Sequence, residues 1–263
     1  MGAQSVDTMT ASDFRRQGIF EDLARRTFKK ARDLWIELVY GFPNRNSYQG
    51  FVKKLDFVSV APVRELCFRL DWHRFIEARR PQSIAKSLAD EYLGLLRASD
   101  GLRGRNEPIA EFTKEHDDFW REASETVRLG VAKTADYLNW RYRAFPDASY
   151  RILETRAEGV VKGFAVWTVS GPLATLVDLV ASSDGVAGHL LQSIMRNARA
   201  VGCRYLRAWE APRAGNQPSR LPRSSSVQEP TVLIAFSPTS TYTKEDLGVE
   251  ADWCVQMGDS DGV

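Results

Sequence analysis

A long two-faced helix near the start of the chain is the strongest structural signal in the sequence. From Gly18 to Trp35, apolar residues recur every three or four positions, and charged residues fill the other face. The residues before this helix read as a short strand and a turn, and Ile36–Phe42 reads as a buried strand. Strand, helix and strand in this order predict a right-handed crossover, the building unit of a sheet covered by helices.

The remaining pattern adds more strands than helices. The expected helices are Ser47–Leu55 and Gly185–Val201. Residues Phe57–Leu70 form one long strand or two shorter ones, and the further strands expected are Tyr150–Thr155, Val160–Val169, Ala174–Val180, Arg204–Trp209, Thr231–Phe236 and Trp253–Met257. Residues 71–133 are charged and favour helix. We therefore predict an α/β fold with a mixed sheet, divided into a first domain (1–75), a helical connector (76–133) and a second domain (134–263).

A weak internal repeat supports two related domains. VDTMTASD at residues 6–13 and VDLVASSD at residues 177–184 match at four of eight positions, with an offset of 171. Both octets lead from a strand into a helix and then to another strand. ARDLW from Ala31 and ARAVG from Ala198 pair at an offset of 167, so the second copy is four residues shorter. The missing length falls where the first copy carries DFRRQG, which makes a duplicated domain the favoured interpretation.

Composition excludes several classes of protein. Apolar residues make up 43% of the 263 positions, enough for buried cores, and 36 basic residues nearly balance 34 acidic ones. Near-neutral charge argues against a nucleic-acid or membrane partner. The three cysteines follow neither a disulfide nor a zinc pattern, and no apolar run is long enough to span a membrane. Residues Met1–Thr10 lack the charged start and the apolar stretch of a signal peptide. We expect a cytoplasmic protein without a metal.

The turn before the first helix has the chemistry of an anion site. A helix N-terminus directs unpaired backbone N–H groups and the positive end of its dipole towards one point. Gly18 permits a close approach there, and Arg15 and Arg16 add charge. Charge-assisted hydrogen bonds contribute about 1.5 to 3 kcal/mol each, so three or four of them would dominate the binding of a pyrophosphate. The alternative is that Gly18 merely eases the turn and the arginines are solvated.

Four stretches of the sequence resemble the GNAT superfamily of N-acetyltransferases. The segment RRQGIF at residues 15–20 resembles the superfamily's Arg/Gln-x-x-Gly-x-Gly/Ala motif, although Phe20 replaces the small last residue. YGFPNRNSYQGFVKKLDF (40–57) is similar to the next strand and short helix. YLNWRYRAFP (137–146) and DWCVQMGDSDGV (252–263) resemble a bacterial subgroup with two GNAT-like domains in tandem. The resemblance implies two GNAT-like acyltransferase domains.

This resemblance implies acetyl-coenzyme A as cosubstrate and an amine as acceptor. The residues implicated in cofactor binding fall into three groups. They are Thr8, Met9 and Thr10 on a strand that pairs with the pantetheine arm; Arg15, Arg16, Gln17, Gly18, Ile19 and Phe20 in the pyrophosphate loop; and Asn44 or Asn46 in the next loop. The reaction implied is direct acetyl transfer, with a backbone N–H stabilising the oxyanion and an acid and a base assisting.

Catalytic groups are harder to assign. The superfamily's frequent tyrosine acid would stand at Val52, so Tyr48, one helical turn earlier, is the substitute candidate; a packing or surface role is the alternative. Asp7 is placed to act as a base, but its repeat counterpart Asp178 lies in the copy without the loop, which favours a structural role for both. His73, His116 and His189 lack ligand spacing and are expected to be surface or packing residues.

The sequence also predicts an incomplete first domain. A GNAT domain places three strands and two helices before the cofactor strand, whereas about five residues precede that strand here. The missing elements ordinarily form one wall of the acceptor site and cover a sheet edge. We expect an intact form to begin well upstream, so that the chain is truncated at its N-terminus.

Three functions follow, in order of preference. The first is an acetyl-coenzyme A-dependent N-acetyltransferase whose second domain is a degenerate copy that does not bind the cofactor. The second is a non-catalytic GNAT-like module that binds acyl-coenzyme A or serves in recognition. The third is aminoacyl transfer from charged tRNA, which the lack of a basic stripe disfavours.

Overall fold

The structure is a computed structural model that describes residues 1–70, 105–144, 149–212, 226–227 and 231–260. The chain divides into two compact units. Among the described residues, the first unit contains residues 1–64 and 231–251 with Ser260, and the second contains residues 65–228 and 252–259. The chain thus passes from the first unit into the second, and residues 231–251 belong to the first unit again.

The first unit is a four-stranded sheet with three helices. Its strands are β1 (Gly2–Ser5), β2 (Leu38–Gly41), the first part of β3 (Val58–Arg69) and β11 (Thr231–Phe236). β1 pairs with β2 in parallel, and β11 lies between β2 and β3, antiparallel to both. Its helices are α1 (Ile19–Asp33), α2 (Arg45–Lys54) and a four-residue helix, α6 (Lys244–Leu247).

The core of the first unit is aromatic and lies between the sheet and its helices. Its buried members are Val39, Phe51, Leu55, Phe57 and Ile234. From α1, the residues Phe20, Ala24 and Phe28 pack against this core without being fully buried. Leu23 of the same helix is exposed, so the two-faced pattern predicted the helix correctly, but its apolar face is half covered.

The second unit has a longer sheet with helices on both faces. The strand order is β3–β9–β8–β7–β6–β4, and β10 (Ser226–Val227) also pairs with β3. The new strands are β4 (Arg105–Pro108), β6 (Arg151–Ala157), β7 (Val160–Ser170), β8 (Leu173–Ala181) and β9 (Tyr205–Glu210). β8 and β9 are parallel, and β4, β6, β7 and β8 form antiparallel pairs.

Two cores enclose this sheet. α5 (Asp184–Ala200) packs on one face through Leu190, Ile194 and other apolar residues. On the other face lie α3 (Lys114–Ala123) and α4 (Ala135–Tyr142). A separate parallel pair joins β5 (Leu129–Gly130) to β12 (Trp253–Cys254).

Each unit contains the predicted strand–helix–strand crossover. β1, α1 and β2 form it in the first unit, and β8, α5 and β9 form it in the second, each with a parallel strand pair. Residues 6–13 follow β1, whereas residues 177–181 still belong to β8. The crossovers therefore correspond in order, and their loops differ.

The observed division of the chain differs from the predicted one in two places. We assigned 134–263 to the second domain, but β11 lies in the sheet of the first unit because it pairs with β2 and β3. The proposed helical connector, 76–133, is not purely helical: β4 pairs with β6 and belongs to the second unit. Residues 71–104 of that connector lie outside the described residues. The predicted last strand is shorter, Trp253–Cys254, and a short 3-10 turn follows at Met257–Asp259.

Candidate functional site

The start of α1 presents a set of unpaired backbone donors. Gly18 is the N-cap residue, with φ 79° and ψ −1°, and no side chain caps the helix. The first amide to be bonded is that of Asp22, which donates to the Gly18 carbonyl at 3.0 Å. The N–H groups of Gly18, Ile19, Phe20 and Glu21 have no acceptor among the described residues. An anion at this point would satisfy them.

Glycine is favoured at this position by its conformation, because φ is 79°. The left-handed conformation costs other residues about 1 to 2 kcal/mol. Apart from its chain neighbours, no atom of the described residues lies within 4 Å of the place where a Cβ would be, so the approach to the helix end is open. The predicted role of Gly18 in letting a ligand come close is consistent with this geometry.

The loop before the helix is braced by its own polar side chains. Arg15 donates from Nε to the carbonyl of Thr10 at 3.1 Å, and Gln17 donates to the carbonyl of Asp13 at 3.3 Å. Arg16 has a positive φ of 63° and is exposed. These contacts hold the loop in shape beside the helix N-terminus and leave the terminal nitrogens of both guanidinium groups without a partner among the described residues.

Thr8, Met9 and Thr10 do not form the strand that the sequence predicted. β1 ends at Ser5, and Asp7, with φ 51°, turns the chain away from the sheet. The prediction placed this segment on a strand because the resemblance implied one, but none of the described strands pairs with it. The segment instead lines two cavities.

The two cavities share part of their lining, including Thr8 and Met9. The first, which we call the β2-side cavity, has a volume of about 540 Å³ and includes Thr8, Met9, Asn44 and Ser47 in its lining. The second, the α1-side cavity, has a volume of about 370 Å³ and is lined by residues 3–10 and by side chains of α1, β2 and α2 that are mostly apolar. Both cavities include Asp7 and Phe51.

The structure separates the two asparagine candidates. Asn44 is the N-cap of α2, and its Oδ1 accepts from the amides of Asn46 and Ser47 at 3.0 and 3.1 Å. Its amide nitrogen is left as a donor at the β2-side cavity. Asn46 is exposed and does not line either cavity.

Tyr48 has the alternative role that the sequence analysis considered. It is half-buried and packs against the aromatic core of the first unit, and it lines neither cavity. Ser47 was not identified from the sequence, yet it lines the β2-side cavity. Its position three residues after the N-cap asparagine is the signal that could have identified it, because the first turn of a helix faces the preceding loop.

Asp7 and Asp178 have different environments although they correspond in the repeat. Asp7 is exposed and lines both cavities. Asp178 is fully buried, and both its oxygens accept from Lys133 Nζ, at 2.9 and 3.1 Å. Tyr142 also donates to it. The structural role expected for both residues is therefore observed for Asp178 and not for Asp7.

A second carboxylate, Asp259, completes the buried cluster. It accepts a hydrogen bond from Lys133. Burial raises the pKa of Asp259 to about 6, against the opposing effect of the ammonium. Burial alone would lower the pKa of Lys133, but the two carboxylates overcome it and raise that pKa. Burial and the neighbouring Asp178 raise the pKa of Tyr142.

Leu179, the residue after Asp178, binds the side-chain amide of Gln256 through its backbone. Leu179 donates its N–H to Gln256 Oε1 at 2.5 Å and accepts from Gln256 Nε2 at 2.9 Å. The pairing of β8 with β9 covers Leu173–Thr175, so Gln256 bonds to β8 beyond the end of that ladder. The side chain of Gln256 thus takes the place of a neighbouring strand.

Two of the three histidines have structural contacts. The Nδ1 atom of His116 accepts from the Thr113 amide at 3.0 Å, and Nε2 lies 3.1 Å from Glu154 Oε2. Burial lowers the pKa of His116. His189 accepts from Asn106 through its carbonyl. His73 lies outside the described residues.

Neither a metal cluster nor a membrane-spanning helix is found in the part of the chain that the structure describes. Within these residues, no three His, Cys, Asp or Glu side chains are grouped as metal ligands. Over the same residues, every helix is too short or too polar to cross a bilayer.

Comparison with known proteins identifies the fold. No family model matches the sequence, and no curated protein matches it. A conserved protein of unknown function from Enterococcus faecalis, described as a probable N-acyltransferase, superposes with a TM-score of 0.59 at 11% identity, over 88% of this chain and 53% of that one. A GCN5-related N-acetyltransferase from Kribbella flavida gives 0.57 at 15% identity, over 88% and 51%.

A tandem GNAT protein from the clavulanic acid biosynthesis pathway gives a TM-score of 0.51 at 10% identity, over 89% of this chain and 74% of that one. The chain therefore has the fold of the GCN5-related N-acetyltransferases, as the resemblance predicted. It spans about half the length of the Enterococcus and Kribbella structures.

Proposed function

We propose that the chain is an acyltransferase that uses acetyl-coenzyme A to acetylate an amine, with the donor bound in the first unit. The observation that carries this proposal is the uncapped start of α1, where Gly18 and the three residues after it present unpaired N–H groups, and where Phe20 lines the α1-side cavity.

The donor's pyrophosphate matches the chemistry of this helix end. Four converging N–H groups and the helix dipole favour a multiply charged anion. Arg16 is exposed in the same loop, and the space over Gly18 is open. In the second unit Ser183 caps α5 by accepting from the Val186 amide at 3.3 Å, so the corresponding position there is already occupied. These features support a donor site in the first unit alone.

A contact in the second unit resembles the one that we propose between the first unit and an amide group of the donor. Leu179 pairs with the side-chain amide of Gln256 through both of its backbone groups. Thr8 corresponds to Leu179 by the offset of 171, and its backbone N–H and C=O have no partner among the described residues. An amide of the pantetheine arm would satisfy them in the same way.

Acetyl-coenzyme A supplies a thioester when bound. The nitrogen of a neutral amine forms a bond to the carbonyl carbon, the C–S bond breaks, the amine loses one proton and the sulfur gains one. In the structure the Ser47 hydroxyl donates to the carbonyl and the Oδ1 of Asn44, at 3.3 and 3.2 Å. We propose that this hydroxyl, which lines the β2-side cavity, turns from Asn44 and donates towards the leaving sulfur in place of Tyr48. The Asn44 amide nitrogen is a further donor at this cavity.

One observation favours a second candidate, a module that binds acyl-coenzyme A without turnover. Tyr48 packs in the core, so the tyrosine that the sequence offered as an acid is withdrawn from both cavities. The two candidates share the donor site and differ in the chemistry after binding.

Release of free thiol from acetyl-coenzyme A in the presence of an amine tests the proposal. We expect amine-dependent thiol release and equimolar acetylated amine, detected by mass spectrometry. Binding of the donor without thiol release across primary alkylamines, amino sugars and peptides would support the non-catalytic module instead. Ser47→Ala is expected to lower kcat at unchanged affinity for coenzyme A.

A further inference from the structure

Two consecutive residues in the second unit hold two chemical groups side by side. Asp178 binds the primary ammonium of Lys133 with both carboxylate oxygens, and Leu179 binds the amide of Gln256 through its backbone. The amine and the amide come from residues 45 and 77 positions away along the chain. The end of β8 therefore presents a paired site for an ammonium and an amide.

The corresponding residues of the first unit are Asp7 and Thr8. Asp7 and Thr8 have the same positions in their octet as Asp178 and Leu179 have in theirs. Both pairs of residues come after the start of a parallel-paired strand and before the crossover helix. Their backbone differs, since Asp7 has φ 51° while Asp178 lies within β8. Neither Asp7 nor Thr8 has a hydrogen-bond or ion-pair partner among the described residues.

Asp7 also gives the two cavities their charge. Among the residues that line them, it is the single ionisable side chain; the others are apolar or neutral and polar. A carboxylate in such surroundings favours a cationic ligand over a neutral or anionic one. Apolar groups such as Phe20, Leu23 and Phe28 in the α1-side cavity suit an alkyl chain attached to that cation.

We propose that Asp7 binds the ammonium group of the acceptor, and that the acceptor is an unbranched primary alkylamine of the kind that a lysine side chain presents. This inference rests on the proposed function, because it names the acceptor class for the same site. With the donor amide on Thr8, the amine on Asp7 would lie beside the donor. The bound ammonium releases one proton to solvent, and the neutral nitrogen then attacks the thioester. Asp7 is thus an acceptor-binding residue, and its effect is on KM for the amine.

The first test compares Asp7→Asn with Asp13→Asn in the full chain. Asparagine tolerates the positive φ at position 7, so Asp7→Asn removes the charge and keeps the backbone. Asp13 is an exposed carboxylate of the same loop that lines neither cavity. The probe is n-butylamine, which is the lysine side chain alone, and n-butanol is its neutral control.

Binding is followed by the amide chemical shifts of Val6–Met9 in 15N-labelled protein, with and without coenzyme A. We expect n-butylamine to bind and n-butanol not to bind. Asp7→Asn should weaken n-butylamine binding at least tenfold, whereas Asp13→Asn should change it less than twofold. In turnover, Asp7→Asn should raise KM for n-butylamine by a similar factor, with kcat changed less than threefold.

The outcomes separate this inference from the proposed function. If coenzyme A does not bind but n-butylamine binding depends on Asp7, the acceptor assignment stands and the donor site fails. If coenzyme A binds and Asp7→Asn leaves n-butylamine affinity and KM unchanged, the assignment of Asp7 is overturned. Equal binding of n-butanol and n-butylamine would overturn it as well.

Discussion

The ring of Phe20 lies directly over Gly50. A Cβ atom on Gly50 would stand 2.7 Å from Phe20 Cε1, and the same ring meets Phe51 edge-on at a centroid distance of 5.2 Å. Phe20 occupies the position where the resembling motif has a small residue. Gly50 is unfavourable inside a helix, and Phe20 departs from the motif. Because Gly50 has no side chain, the ring of Phe20 fits over it, so the two departures compensate each other.

A double-mutant cycle tests this compensation. Gly50→Ala should destabilise the wild type by about 1 to 3 kcal/mol, because it forces the ring out of its place. In a Phe20→Ala background the same change should be neutral or stabilising by up to about 1 kcal/mol, because alanine is the better helix former inside α2. Denaturant unfolding measures both, and additive effects would contradict the packing relationship.

Lys133 is predicted to be far more important to stability than an exposed cation. Replacing it with methionine leaves Asp178 and Asp259 buried without a counter-charge, which should cost about 3 to 5 kcal/mol of unfolding free energy. Arg128, which pairs with Asp252 at 2.6 Å with 63% of its side chain exposed, is the matched control. Arg128→Met should cost less than about 1 kcal/mol in the same urea titration. Similar losses for both variants would contradict the buried cluster.

Asp259 should make stability fall as the pH rises from 4 to 6. Its pKa is about 6 in the folded protein, so over this range the folded state holds a proton that the unfolded state has released. The stabilisation is present below pH 4 and is lost as the pH passes 6. Unfolding free energies measured at pH 4, 5, 6 and 7 should fall by about 2 to 3 kcal/mol more in the wild type than in Asp259→Asn.

The control for this titration is Asp118→Asn, which removes an exposed carboxylate on α3. Its pH dependence should follow that of the wild type. A slope between pH 4 and 6 that is the same in Asp259→Asn and in the wild type would show that Asp259 is not the group responsible.

Gln256 should protect one amide of β8 in particular. Gln256→Leu keeps a similar volume but leaves the buried backbone groups of Leu179 unpaired, at a cost of about 1 to 3 kcal/mol each. Hydrogen exchange at the Leu179 amide should become faster than at its neighbour Val180, which lies opposite Phe164 of β7. Equal acceleration at both amides would indicate general loosening of the strand.

Local patterns predicted the elements well because each depends on a short stretch of sequence. Apolar periodicity predicted α1 and α5, and β11 was predicted with the bounds that the structure has. The sequence could not show that β11 joins the first unit, because its partners in β2 lie almost 200 positions away. The residues that bind Asp178 are also distant in sequence. The repeat therefore identified Asp178 but could not show which residues surround it.

Only the local features of the candidate site could be predicted from the sequence. The Gly18 turn is local, and the structure gives it the expected open helix end. Thr8 to Thr10 were misplaced on a strand, because a positive φ at Asp7 decides where β1 ends and composition does not specify it. Tyr48 and Ser47 are adjacent in sequence, and only the orientation of α2 shows which one lines the cavity.

Titration of coenzyme A into three forms of the protein tests the central claim most directly. The variants are Gly18→Glu and Gly159→Glu; both glycines have φ near 80° and open space around them, but Gly159 lies in the second unit. We predict one coenzyme A bound per chain, with micromolar affinity, by the wild type and Gly159→Glu, and none by Gly18→Glu. Binding that persists in Gly18→Glu, or no binding by the wild type, would contradict a donor site at the start of α1.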